Sequence, residues 1–272
     1  MSYQLDDLLY LMQRLRDPQH GCPWDLQQNY ASIVPHTLEE AYEVADAIEQ
    51  GDFEQLRGEL GDLLFQVVYY AQLAGEESRF GWAEVVDGIT RKLVRRHPHV
   101  FPDGNLRTTP GSQALAPEQV KRRWEQIKAE ERAAKAARPE QLSLLDDVPT
   151  ALPALSRAQK LQKRAASAGF DWPEAAPVVD KISEELDEVR EALAAGDNAA
   201  VAEEMGDLLF CVVNLARHLG VDAENALRQG NAKFERRFRF IEEQLREQGA
   251  TVAGRDLAEL DALWDRAKQQ GL

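Results

Sequence analysis

The chain has 272 residues, and its 47 Asp and Glu against 32 Lys and Arg give a formal net charge of −15. A hydrophobic share of 44% and a charged share of 29% describe a globular protein, at this length of about two domains. The acid excess argues against broad electrostatic capture of nucleic acid or an anionic membrane, and no apolar run approaches the ~20 residues that cross a bilayer. The opening MSYQLDDLLYLM has neither the basic start nor the cleavage site of a signal peptide. Cys22 and Cys211 are far apart, without CxxC spacing, which speaks against a disulfide framework or a cysteine zinc site and fits a reducing cytoplasm.

Along the first half, Leu38, Ala41, Tyr42, Ala45 and Ile48 recur at helical spacing. Gly51 stands where that helix would end, and Asp52 is placed to cap the next. Glu39, Glu40, Glu43 and Asp46 fall opposite the apolar stripe, the pattern of an ordinary surface helix. The following helix is of another kind. In Leu63-Leu64-Phe65-x-Val67-Val68 apolar side chains take most of the circumference, and Glu59 and Asp62 occupy the narrow polar strip that is left. Such a helix is normally buried, and buried carboxylates are costly unless paired or bound to metal. Gly61, between the two acids, costs about 1 kcal/mol relative to Ala in a helix interior, which points to something approaching its backbone. Residues 98–117, rich in proline, glycine and threonine, read as a loop, and 133–153, with Pro139, Pro149 and Pro153, as a linker between domains 1–132 and 154–272.

Beyond the linker the first half returns. Glu39–Gly75 (EEAYEVADAIEQGDFEQLRGELGDLLFQVVYYAQLAG) aligns without insertion on Glu184–Gly220 (EELDEVREALAAGDNAAVAEEMGDLLFCVVNLARHLG). Both carry E-E-x-x-E, then G-D, then E-x-G-D-L-L-F-x-V-V. Lys92, Arg96, Trp124 and Lys128 have counterparts in Lys233, Arg237, Trp264 and Lys268. The chain is a tandem duplication. No segment alternates with period two, so the predicted fold is all-α, two helical bundles in series.

The second copy gathers the chemistry. Glu185 and Glu188 are three residues apart, as are Glu204 and Asp207, so each helix presents two carboxylates on one face. Gly206 repeats Gly61, and Asp197 repeats Asp52. Four converging carboxylates call for a hard divalent cation, Mg²⁺ or Mn²⁺. A di-iron bundle wants Glu-x-x-His on two helices, and the one histidine of this copy, His218, lies outside that spacing. The chain has no P-loop, no G-x-S-x-G elbow and no H-E-x-x-H helix. Lys233, Arg236, Arg237 and Arg239 crowd one segment, with Lys181 one turn before Glu184 and Lys268 near the C-terminus. Beside a metal site these cations suit a polyphosphate; the plainer use is salt bridging between helices. Trp264 serves either a base stack or the core.

E-E-x-x-E followed by E-x-G-D-L-L-F, twice over, resembles the MazG family of bacterial nucleoside triphosphate pyrophosphohydrolases, within the all-α NTP pyrophosphatases. Cys22-Pro23-Trp24-Asp25 and the run Lys92–Phe101 (KLVRRHPHVF) are typical of that family's amino-terminal half. The resemblance implies Mg²⁺-dependent hydrolysis of an NTP to NMP and diphosphate, on a homodimer whose helices pack across the subunits. It implies metal ligation by Glu185, Glu188, Glu204 and Asp207, with Lys181, Glu184 and Glu185 as the catalytic group. Lys181 and Glu184 would serve the phosphates and the attacking water. Lys233 and Arg237 would neutralise the triphosphate, and Trp264 and Lys268 would complete the nucleotide pocket. In the first copy His36 replaces Lys181, so the C-terminal copy is the expected catalyst, and Glu40, Glu43, Glu59 and Asp62 are left as a second, weaker metal site. Broad (d)NTP acceptance is expected. Two alternatives stand beside it: a non-catalytic nucleotide-sensing adaptor, and a house-cleaning enzyme restricted to one non-canonical nucleotide.

Overall fold

The computed structural model describes residues 2–107, 116–135, 143–146 and 148–272. Among the described residues there are eleven helices and no strand, as the sequence predicts. The chain divides into two compact units, Met1–Lys135 and Ala136–Leu272. The first holds α1 (Leu5–Leu15), α2 (Pro23–Gln27), α3 (Tyr30–Gln50), α4 (Phe53–Glu76), α5 (Trp82–Arg96) and α6 (Pro117–Lys135). The second holds α7 (Ala154–Ala166), α8 (Ala176–Ala195), α9 (Asn198–His218), α10 (Ala223–Glu247) and α11 (Leu257–Gln269). Of the expected loop 98–117 and linker 133–153, residues 108–115, 136–142 and 147 lie outside the described residues.

Each unit is built around one helical hairpin. Gly51 ends α3 with φ of 71°, a left-handed conformation that glycine reaches without steric cost. Asp52 then caps α4, accepting from the Glu54 and Gln55 amides at 3.0 and 2.9 Å. Gly196 (φ 70°) and Asp197 repeat the device, Asp197 accepting from Ala199 and Ala200. So short a connection folds α4 back along α3, and α9 back along α8. In the first unit α1 and α5 pack on α4; in the second α7 packs on α9, α10 on α7 and α9, and α11 on α10.

The core of the first unit is Met12, Ile33, Val68, Tyr69 and Leu73, with Leu15 and Phe65 packed against them. The Tyr69 hydroxyl donates to the Asp25 carbonyl at 2.9 Å, and Arg16 pairs in fork geometry with Glu76 at 2.8 and 2.7 Å. In the second unit Ile241, Leu245 and Leu263 join α10 to α11, with Trp264 against them.

One expectation is not met within a single chain. The apolar circumference of α4 and α9 predicts helices buried all round, yet Leu64 and Val67, and Leu209, Phe210 and Val212, stay exposed. Among the described residues α3, α1 and α5 pack on α4, and α8, α7 and α10 on α9, and they leave these side chains exposed.

The last helix of the first unit is tied to α5 by charge. Glu131 accepts from Arg95 and from Arg96, each at 2.6 Å. The Arg96 guanidinium, helped by Arg95, holds the Glu131 carboxyl down at about 2 against an ordinary 4.5. A pKa depressed by folding stabilises the fold above about pH 4.5, and that contribution is lost as pH falls toward 2. Glu131→Gln should therefore cost about 1 kcal/mol at neutral pH. Thermal unfolding of the variant and the parent chain should converge as the pH is lowered through that window.

Candidate active site

Because i and i+3 share a helix face, Glu185 and Glu188 on α8 look together across the hairpin at Glu204 on α9. One carboxylate oxygen from each lies within 4.8 Å of the other two. Glu185 is only 5% exposed, which for an acid demands compensation. Part of it is Lys181, whose ammonium lies 2.7 Å from Glu185 and 2.8 Å from Glu184. These two carboxylates raise the lysine's pKa well above its usual value, Glu184 contributing most, so it is fully charged. Compensation is incomplete. Burial pushes the Glu188 carboxyl up, and the neighbouring Glu185 adds to that, with Lys181 opposing.

The first unit carries the same triangle. Oxygens of Glu40, Glu43 and Glu59 lie within 4.8 Å of one another. Burial raises the Glu40 carboxyl, with Asp62 and Glu59 as the next causes, and burial and Glu59 raise Glu43. This corrects the reading of α3 as a helix with a plain acidic surface. Glu40 and Glu43 meet Glu59 of α4, Glu40 half-buried and Glu43 exposed, and the stripe residues Leu38, Tyr42 and Ile48 are exposed as well. The cation is weaker here: His36 Nδ1 stands 3.6 Å from Glu39, where Lys181 makes two contacts under 3 Å.

Asp207 and Asp62 are not part of either three-oxygen set. Asp207 is exposed, one turn beyond Glu204 on α9, and its charge is felt at the Cys211 thiol. The glycines between the acids also depart from expectation. Among the described residues a Cβ at Gly61 or Gly206 would meet nothing within 4 Å, so none of them makes the close approach that the cost of these glycines implied.

The basic residues form a separate group on α10 and α11. The Arg237 guanidinium lies over the Trp264 ring, 5.2 Å from its centroid, and donates to the Leu272 carbonyl at 2.7 Å. Phe234 packs on the same ring at 5.4 Å, so Trp264 is a core residue that also backs Arg237. The first unit repeats this, with Arg96 at 5.9 Å and Lys128 at 4.7 Å from the Trp124 centroid. Lys268 pairs with Asp265 at 2.8 Å, Arg239 with Glu235 at 3.0 Å, and Lys233 is exposed. Among the described residues no hydrogen bond or ion pair joins these cations to the triangle on α8 and α9.

Two buried polar residues nearby, Gln162 of α7 and Asn214 of α9, belong to no motif read from the sequence. They flank Cys211 on the wall of a cavity of about 310 Å³. Asn214 and Cys211 follow Asp207 at helical spacing, the only hint of them in the sequence.

What fold and geometry define is a tandem all-α protein in which two helical hairpins each gather three carboxylates. Hard oxygen donors drawn this close, with burial and like charge raising the Glu188, Glu40 and Glu43 carboxyls, fit a hard metal cation. The model of the MazG nucleotide pyrophosphohydrolase domain matches residues 28–101 and 176–239, the stretches that contain the two hairpins. The chain is 56% identical over 271 residues to the nucleoside triphosphate pyrophosphohydrolase of Escherichia coli (strain K12), covering 98% of each. It is 39% identical over 263 residues to the nucleoside triphosphate pyrophosphohydrolase/pyrophosphatase MazG of Thermotoga maritima, covering 97% of this chain and 95% of that one. The chain belongs to the MazG family.

The triangle makes a prediction that needs no substrate. A cation at a hundred times its Kd should stabilise the fold by about 2.7 kcal/mol, read as a rise in melting temperature with added Mg²⁺ or Mn²⁺. Glu188→Gln should lose most of that rise. In chelator it should be at least as stable as the parent chain, because it removes a like charge.

Proposed function

We propose that the C-terminal unit is the catalytic copy and hydrolyses nucleoside triphosphates to NMP and diphosphate with Mg²⁺, Mn²⁺ serving in its place. As a MazG family member the chain is a hydrolase of the nucleoside triphosphate pyrophosphohydrolase class. The observation that carries the choice of copy is Lys181, a full positive charge 2.7 Å from Glu185, where the first copy has His36 at 3.6 Å from Glu39.

Glu185, Glu188 and Glu204 would hold the cation, with Asp207 one turn further along α9. When bound, the ion supplies a Lewis acid for phosphoryl oxygens and lowers the pKa of a bound water. The protein's own part is electrostatic and positional. Lys181 can exchange its bond to the exposed Glu184 for a phosphate oxygen, which frees the Glu184 carboxylate to orient or accept a proton from the attacking water. Lys233, Arg237 and Lys268 offset charge on the departing diphosphate. Trp264 and Phe234 keep the Arg237 guanidinium in place.

We also propose that the working form is a homodimer. Val179, Leu186 and Leu193 of α8, with Met205, Leu209 and Val212 of α9, leave a run of exposed apolar side chains along one hairpin. Such a surface suits a second copy of itself, whose approach would also account for Gly206. Leu209→Lys should shift the mass measured by sedimentation toward the monomer.

A nucleotide-sensing adaptor would bind without turnover. Glu185→Gln or Asp207→Asn should lower NTP hydrolysis by at least about a hundredfold, while Glu40→Gln or Asp62→Asn leave most of it. Phosphate release in the presence of added inorganic pyrophosphatase measures both. Equal losses from the two pairs defeat the division of labour, and products other than NMP and diphosphate defeat the reaction. The same assay on a panel of canonical and damaged nucleotides separates broad acceptance from a house-cleaning specialist.

A further inference from the structure

The repeat that aligns Trp124 with Trp264 and Lys128 with Lys268 runs on past α11, where it sets Glu131 against Gly271. On α6 Trp124, Lys128 and Glu131 follow at spacings of four and three, which is one face of a helix. That face meets the last turn of α5. Glu131 bridges both arginines there, accepting from Arg95 at 2.6 Å and from Arg96 Nη2 and Nε at 2.6 and 3.3 Å. The counterparts of these two arginines on α10 are Arg236 and Arg237.

The second copy ends its helix differently. Gly271 takes φ of 81°, a left-handed conformation that glycine reaches without steric cost and most residues avoid. The amides of Gly271 and Leu272 return to the carbonyls of Lys268 and Ala267 at 3.0 and 3.2 Å, closing the last turn. So turned, Leu272 offers a main-chain oxygen to Arg237 Nε at 2.7 Å, while the Trp264 ring lies against the guanidinium plane. The Nη1–Nη2 end of Arg237 has no hydrogen-bond partner among the described residues.

The charge around it is also unanswered. Lys233, Arg236 and Arg237 stand at i, i+3 and i+4, and like charges at such spacing on one helix face are unfavourable. Among the described residues no carboxylate side chain pairs with any of the three, in a chain of net charge −15. A helix stop by itself accounts for the left-handed turn at Gly271. It does not account for a basic face left bare where the other copy covers two arginines with one acid.

We propose that Gly271 is a positioning residue of the triphosphate site. Where the first copy sets a carboxylate across its arginine pair, Gly271 has no side chain to set, and its turn lets Leu272 hold Arg237 by Nε alone. The Nη1–Nη2 fork of Arg237 and the whole of Arg236 stay open to phosphate oxygens, which such forks bind in bidentate geometry. The two copies thus differ here as well as at Lys181 and His36. The assignment rests on the reading of Arg237 as a triphosphate ligand.

The test compares full-length variants that share the lost glycine and differ only in charge. With ATP and Mg²⁺, kcat/KM of Gly271→Glu should fall at least about tenfold below that of Gly271→Gln, the worth of a hydrogen bond to a charged group. In an Arg237→Ala background the same two substitutions should lie within about twofold of each other, because the carboxylate acts through Arg237. Where melting curves show that the longer side chains unfold α11, Gly271→Asp against Gly271→Asn repeats the comparison. Both keep the left-handed turn, and a gap of about threefold in the same direction is expected from the shorter acid. Equal rates for the charged and uncharged members, or a gap that persists undiminished without Arg237, overturn the role of Gly271 and leave Arg237 in the site. An Arg237→Ala chain as active as the parent overturns the reading of Arg237 itself.

Discussion

The second unit is organised around a repulsion. Three carboxylates whose oxygens lie within 4.8 Å of one another, one of them nearly buried, are an arrangement that a folded chain resists unless something else fixes the backbone. Here the hairpin fixes it. Gly196 and Asp197 turn the chain within two residues, and buried Val178 and Val189 bracket the acids along α8, with Val213 buried on α9. Lys181 relieves the strain at Glu185, but Glu188 still carries a raised pKa. On the proposed reading that residual unfavourable charge is what a bound cation would relieve, and a second lysine beside the acids would leave less of it.

The duplication gives an internal control on what the fold requires and what the site adds. Both hairpins use the Gly-Asp turn, both set three acids in a triangle, and both lay an arginine on a tryptophan, Arg96 on Trp124 and Arg237 on Trp264. These shared features belong to the architecture. Among the many differences, three lie on or beside the face that carries the acids: His36 against Lys181, Gln66 against Cys211, and Tyr69 against Asn214. In the first unit Gln66 and Tyr69 are buried, whereas His36 is not. Tyr69 fills the junction of α1 and α4 and bonds the Asp25 carbonyl, and Arg16 closes the same region through Glu76.

Much of this was legible before any coordinates. Helical period, the glycine–aspartate punctuation and the repeat gave the all-α tandem architecture, because each is local and dictated by backbone chemistry. The spacing of Glu185, Glu188 and Glu204 gave their common face for the same reason. What failed was the direction of the faces. A helical wheel separates the stripe Leu38–Tyr42–Ile48 from the acids Glu40 and Glu43, but it cannot say which of the two the hairpin partner will meet. In α3 the apolar Ile33 and Ala47 are buried, but Leu38, Tyr42 and Ile48 stay exposed while Glu40 meets Glu59. The cavity was illegible for a different reason. Gln162 and Asn214 line a volume left between α7 and α9, a property of packing that no single helix encodes.

The inverted faces and the misplaced glycines are one observation. If α8 and α9 had evolved to sit alone in water, Leu186, Leu193, Leu209 and Val212 would be the polar positions, and Gly206 would be an alanine that stabilises the helix. Instead Glu185, Glu188 and Glu204 meet across the hairpin while those four apolar side chains stand exposed. That is the pattern of a helix pair forming half of a larger bundle. On this argument the charge that makes the site and the hydrophobic surface that would close it are set by the same register on the same two helices. Moving either by one residue would lose both.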